Sequence, residues 1–264
     1  MIARRLDFCM HMTMVKLLSL FAAAIPFTAQ AGPYGPFGQD EDYVVALDAC
    51  EGSLDVRQAH PPLGTVDFSR PGDEARLRIT MVGISHYEAQ VFSLTAPRSA
   101  SVMVRVQATM PNDVGLDDAI CDDLNRDGAT DFVVALWGHG NGLGASFYDR
   151  LIALSSGDSY RFWVIPTMGP AAEDFVTFGK LEPIVMVTRE FVQQRDWPEE
   201  PRSYFVYDLW AFHDGELVSA NLIDSRFPKW VRYTSKPNSQ PATSLTDLDK
   251  RKLRPDPRPI EAVP

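Results

Sequence analysis

Apolar residues in this chain fall into short runs broken by glycine, proline, asparagine and aspartate, and no segment sustains a helical period long enough for a major helix. A chain patterned this way can satisfy its backbone only by pairing strands, so the expected fold class is all-β. The spacing predicts strands over Tyr43 to Leu47, Arg76 to Val82, Tyr87 to Leu94, Ser101 to Val106, Phe132 to Trp137, Ser146 to Leu154 and Tyr160 to Ile165. Three more are predicted over Pro183 to Thr188, Tyr204 to Phe212 and Glu216 to Leu222, the last two joined by a tight Asp214-Gly215 hairpin turn.

These strands recur in groups. Asp131 to Ile165, set beside Glu182 to Leu222, gives in each case an apolar strand, a loop, an aromatic-rich strand with a Tyr-Asp pair, and a turn into a third strand. Tyr148-Asp149 then corresponds to Tyr207-Asp208, and a weaker copy over Arg76 to Val106 places Tyr87-Glu88 in the same position. A spacing of roughly 50 to 60 residues suits blade-like antiparallel meanders. Three copies fall short of the roughly four blades of the smallest ordinary propeller, so a partial propeller or stacked sheets is expected.

With 264 residues, 45% of them hydrophobic, the chain can build a sizeable core. Lys16 is followed by an apolar run from Leu17 to Phe27, and Ala29 and Ala31 place small residues at −3 and −1, so residues 1–31 read as a secretory signal peptide. Met14 opens a complete signal of its own, and residues 1–13 then read as an upstream mis-start. The run is about half the roughly 20 apolar residues of a spanning helix, so no stable membrane insertion is expected after cleavage. The mature protein is expected to be periplasmic or extracellular, with a flexible lead-in over 32–42, a β-rich domain over 43–234 and a disordered tail over 235–264.

Cleavage removes three basic residues, Arg4, Arg5 and Lys16, and one acidic, Asp7, from totals of 25 and 35, which takes the charge from −10 to about −12. No basic stripe interleaved with aromatics is present to follow a phosphate backbone, which argues against nucleic-acid binding. Cys50 and Cys121 remain after cleavage. In an exported chain the simplest expectation is one disulfide between them, and the alternative is two separate buried thiols.

The most specific motif is the acidic stretch Asp123-Leu124-Asn125-Arg126-Asp127-Gly128-Ala129-Thr130-Asp131, of the form D-x-N-x-D-G-x-x-D. Calcium takes oxygen ligands, and a loop curled around the ion presents alternate residues inward. Asp123, Asn125 and Asp127 would supply side-chain oxygens, Gly128 the sharp turn, Ala129 its carbonyl, and Asp131 the closing ligand, direct or through water. The competing reading is a solvated acidic turn, because Asp, Asn and Gly are also what turns use. An EF-hand would need a glutamate where Val134 stands. With a strand following at once, the motif over roughly 122–165 resembles FG-GAP and VCBS-type repeats of integrin-like propellers and many exported bacterial proteins. Few charged ligands and an exported location imply a structural ion of weak affinity, on the order of 10⁻⁴ to 10⁻³ M.

Catalytic patterns are sparse. The stretch Gly138-His139-Gly140-Asn141-Gly142-Leu143-Gly144 matches no phosphate-binding spacing, and Ser146, with His139 and Asp149 as triad-type neighbours, lies outside any G-x-S-x-G elbow. His60, His86 and His213 lack metal-ligand pairing, and Trp137, Trp163, Trp210 and Trp230 fit strand packing. The expected function is therefore a non-enzymatic, calcium-binding, exported interaction module, for example an inhibitor or neutraliser of another exported protein, with that protein or a cell-envelope component as partner. The alternative is a secreted hydrolase or carbohydrate-active accessory domain with its site at the His139 loop.

Overall fold

The computed structural model describes residues 44–52, 64–83, 86–94, 101–107, 114–138, 146–170, 174–177, 183–194, 202–225, 227, 229–234, 240–241 and 258–263. The expected signal segment 1–31, the lead-in 32–42, His60, the loop 139–145 and most of 235–264 lie outside them.

The domain is all-β, built from three antiparallel sheets. Sheet I is a four-stranded meander of β1 (Thr65–Phe68), β2 (Ala75–Gly83), β3 (His86–Ser93) and β4 (Val102–Gln107). Sheet II repeats that plan with β5 (Val114–Asp122), β6 (Asp131–Gly138), β7 (Phe147–Ser156) and β8 (Ser159–Met168). Sheet III has β9 (Phe175–Val176), β10 (Val185–Gln194) and β11 (Arg202–His213), followed by β12 (Glu216–Ser219), β13 (Trp230–Thr234) and β14 (Gln240–Pro241). In sheet III, β12 pairs with the end of β11 and β13 with its beginning, so two short strands share the place one long strand fills in the other sheets.

The repeat seen in the sequence has a structural meaning. Tyr87-Glu88, Tyr148-Asp149 and Tyr207-Asp208 all lie on the third strand of their sheets, β3, β7 and β11. The predicted hairpin at Asp214-Gly215 joins β11 to β12, with both residues in the left-handed region (φ 49° and 67°). Glycine is required at 215 for a second reason, since a Cβ there would stand 2.6 Å from Ser156 Oγ.

Burial explains the difference between the strand sequences. In sheet I, Leu77, Ile79, Tyr87, Ala89, Val91, Val104 and Val106 point to one buried face, while Arg78, Glu88 and Arg105 lie on the opposite side. That is the alternation of a one-sided sheet. Sheet II is packed on both faces, and so Phe132 to Leu136 and Leu151 to Leu154 are continuous apolar runs with every residue buried. One face meets sheet I through Phe132, Val134, Leu151, Ala153 and Phe162. The other meets sheet III through Val133, Ile152, Leu154 and Trp163 against Phe175, Met186, Trp210 and Phe212. The far face of sheet III is covered by its own Ala220 and Phe227. The sheets thus stack in the order I, II, III, and among the described residues no core cluster joins III back to I.

Several expected elements differ. Of the strand expected over Tyr43 to Leu47, Val44 makes only an isolated bridge to Val176, and the chain continues as an extended strap. Ala49 bridges Ile120 of β5 and Glu51 bridges Ser69 just after β1, so the strap crosses the first strand of every sheet. The expected disulfide is present: Cys50 on the strap is bonded to Cys121 on β5, with 4.9 Å between Cα atoms. Strands β1, β5, β9 and β13 were not predicted. In β5 the sequence V-G-L-D-D-A-I-C-D hides a bulge at Asp117-Asp118, where two acidic residues stand opposite one position of β6. Two parts of the segment expected to be a solvated tail also take part in the fold, Gln240–Pro241 as β14 and residues 258–263 against the outer strands β8 and β4.

Candidate functional site

The acidic loop connects β5 to β6, and its flanking residues Asp122 and Asp131 are partners in the ladder, so strand pairing draws its two ends together. Within it Arg126 and Gly128 adopt left-handed backbone (φ 63° and 88°), which supplies the sharp turn expected at Gly128. The short acidic side chains fold back on the turn. Asp123 accepts the N–H of Asp127 on Oδ1 and that of Gly128 on Oδ2, both at 3.0 Å. Asn125 Oδ1 also accepts the Asp127 N–H at 3.0 Å, and Asp127 Oδ1 accepts that of Ala129 at 2.9 Å. These are side chain to backbone turn bonds of the Asx type.

Asp131 lies beneath the loop, fully buried. Its Oδ2 accepts the N–H groups of Leu124 (2.8 Å) and Asn125 (3.2 Å), and its Oδ1 those of Ser155 (N–H at 2.7 Å, hydroxyl at 2.8 Å). Burial pushes its carboxyl up to about 7, and the four donors only partly offset this.

Ser155, at the end of β7, is the residue that sequence reasoning missed. Its hydroxyl lies 2.7 Å from Asp127 Oδ2 and 2.8 Å from Asp131 Oδ1, yet a hydroxyl carries one proton. The Asn125 amide fills the other side, donating to the Ser155 carbonyl (2.9 Å) and hydroxyl (3.1 Å). With both carboxylates ionised, one close oxygen pair has no hydrogen between its members. Either a proton on a carboxyl or a cation among these oxygens relieves that contact. The loop is tied further to sheet I, because the Thr130 hydroxyl donates to Asp73, and to β8 of its own sheet, where the Thr130 carbonyl accepts from the Tyr160 hydroxyl at 2.9 Å. Burial favours protonating Asp73, but the Thr130 hydroxyl and the N–H groups of Ala75 and Glu74 outweigh it and hold the carboxyl below its ordinary value.

The structure therefore brings Asp123, Asn125, Asp127 and Asp131 together around one turn, with Ala129 on the same turn. Among the described residues no group of three His, Cys, Asp or Glu is arranged to hold a metal, so a cation here would depend on the Asn125 amide and the Ala129 carbonyl as well. This donor set consists of oxygen atoms and fits a hard cation of the calcium type.

No protein family, curated protein or solved structure matches this chain. Its site is accordingly read from its own chemistry. Of the triad-type residues, Asp149 is buried on the face of β7 that turns toward sheet I, Ser146 precedes β7 with its carbonyl accepting from Gly169, and His139 lies outside the described residues. His86 begins β3, and His213 ends β11 beside Asp214. Trp163 and Trp210 belong to the core between sheets II and III, where Trp210 donates to the Thr188 hydroxyl at 2.9 Å.

A second polar cluster lies at the opposite end of the sheets from the acidic loop. Arg150 of β7 is buried, donates to Asp174 at 2.9 Å and stacks its guanidinium 5.2 Å from the Phe175 ring centre. Arg189 of β10 donates to the other oxygen of the same fully buried carboxylate. Burial lowers the Arg150 pKa, and the attraction of Asp174 opposes that. The β5 bulge turns its two acids to this region, Asp118 adding favourable charge toward Arg150 and Asp117 bonding the Tyr148 hydroxyl. With two cations facing Asp174 and Asp118, the cluster is near charge balance and works as an ionic clamp between sheets II and III.

Proposed function

We propose that this is an exported, non-catalytic binding module whose acidic loop takes calcium as a structural ion. The observation that carries the metal reading is the shortage of protons at Ser155, where one hydroxyl serves both Asp127 and Asp131. Calcium held by Asp123, Asn125, Asp127, Asp131 and the Ala129 carbonyl would supply the missing positive charge and stiffen the join between β5 and β6. The loop is also bonded to β7 through Ser155 and to sheet I through Asp73, so its order bears on the seam between the first two sheets. A partner among exported proteins or envelope components, met through a cationic surface, suits the net charge of −10.

The test is the melting temperature of the signal-free protein in calcium and in chelator. Calcium at about one hundred times its dissociation constant stabilises by about 2.7 kcal/mol, which is several degrees for a domain of this size. The Asp127→Ala variant should lose that difference. Identical melting of the parent protein in both conditions removes calcium from the reading.

A further inference from the structure

The strap passes from sheet III to sheet II over an opening between their edges. Val44 bridges Val176 and the Val45 N–H donates to the Phe175 carbonyl at 2.8 Å, both on β9. Ala49 bridges Ile120 and the Cys50 N–H donates to the Ala119 carbonyl at 3.0 Å, both on β5. Stacked sheets lie about 10 Å apart, so residues 46–48 span a gap. Beneath them lies a cavity of about 380 Å³. Its walls include Val45, Leu47 and Ala49 of the strap with Ile120 of β5, and among the described residues its one charged group is Asp118.

The β5 bulge explains why a carboxylate stands there. Two acids occupy the place of one residue opposite β6, and the irregularity turns Asp118 to the side of Ile120, toward sheet III. Asp118 is half-buried, and among the described residues the N–H of Ala119 at 3.1 Å is its only hydrogen bond. Arg150 attracts this carboxylate, but its guanidinium bonds Asp174. A carboxylate accepts up to about four hydrogen bonds, so Asp118 keeps acceptor capacity for a ligand.

An apolar trough ending in such a group complements a cation carried on a hydrocarbon chain. A bare metal ion would leave Val45, Leu47 and Ile120 against water, and a neutral hydrocarbon would give the carboxylate no donor. Two residues of β5 separate Asp118 from Ile120, about 7 Å, which is the reach of a chain of about five carbons.

We propose that the cavity beneath the strap is a binding site for a small aliphatic amine, with Asp118 holding the ammonium group and Val45, Leu47 and Ile120 covering the chain. It adds a small-molecule ligand to the binding-module reading and is independent of the ion at the acidic loop.

The experiment follows the methyl resonances of Val45, Leu47 and Ile120 in the full signal-free protein at neutral pH. The ligands are n-hexylamine and its uncharged counterpart n-hexanol. The amine should bind about five-fold more tightly than the alcohol, the upper range for an ion pair that keeps contact with water. Along the series from propylamine to pentylamine, affinity should rise about four-fold with each methylene, as burial of hydrocarbon requires. In Asp118→Asn, with its fold checked by circular dichroism, amine and alcohol should bind alike. Equal binding of amine and alcohol by the parent protein overturns the proposal, as does a flat chain-length series or the lack of a saturable shift at the three residues. These outcomes are read on the parent protein and stand even where the variant does not fold. A preference for the amine that persists in folded Asp118→Asn overturns it as well. The melting difference between calcium and chelator is a separate measurement, so either reading can fail alone.

Discussion

Tyr87 is buried between sheets I and II, and among the described residues its hydroxyl has no hydrogen-bond partner. Burial, helped by the charge of Asp149, raises its pKa well above the ordinary value. An acid whose folded pKa exceeds its unfolded pKa contributes stability that is intact below the unfolded value, about 10 for tyrosine, and lost as pH rises beyond it. Tyr87→Phe should therefore lose less stability than the parent between about pH 9 and 11, as urea titrations across that range will measure. At neutral pH the same change should be worth no more than about 1 kcal/mol, because no bond is given up with the hydroxyl. The residue scale also marks how far the site could be read in advance. Asp123, Asn125, Asp127 and Gly128 announce their turn by spacing along the chain, whereas Ser155 is more than twenty residues downstream of Asp131 and carries no signature of its own.

At the scale of elements, hairpins and meanders were legible because they depend on neighbours in the chain. The strands that escaped prediction depend on context: β5 is broken by its Asp117-Asp118 bulge, and β9 is a two-residue strand completed by pairing with β10. Such context also produces the clamp at Asp174, which holds Arg150 from sheet II and Arg189 from sheet III. Removing one member of a buried ion pair strands its partner's charge, a loss of about 3 to 5 kcal/mol. Asp174→Ala should show a destabilisation of that order by chemical denaturation, with the two arginines left facing each other. A change below about 1 kcal/mol would mean the arginines find other partners or water when Asp174 is removed.

For the whole molecule, the strap from Val44 to Glu51 and the segment 258–263 act at opposite edges of the stack. The strap bridges β9, β5 and the residue just after β1, and the C-terminal segment reaches the last strands of sheets I and II. Exposed edges are templates for unwanted pairing, and these segments cover them. The Cys50–Cys121 bond fastens the strap at its middle sheet and closes a loop of 71 residues. By the chain-entropy account such a loop contributes roughly 4 kcal/mol. The double variant Cys50→Ala, Cys121→Ala should show that loss as a lower urea midpoint together with a steeper denaturant slope, since the unlinked unfolded chain exposes more surface. An unchanged midpoint would place the strap's stability in its backbone bonds and the contacts of Val45 and Leu47 with the core.

The amino-acid sequence by itself determined the strand-length runs, the three-fold recurrence with a tyrosine-acid pair on the middle strand of each predicted group, the Asp214-Gly215 hairpin, the expectation of a Cys50–Cys121 bond and the turn at Gly128. Each of these rests on local spacing or on a count of residues. Only the tertiary structure decided that sheet II is buried on both faces, that the two straps stitch the edges, that Arg150 and Arg189 share Asp174, and that Ser155 supplies one proton to two carboxylates. Those features join residues far apart in the chain, such as Asp73 with Thr130 and Asn125 with Ser155. No periodicity records them, because they form only where stacking has brought separate sheets within bonding distance.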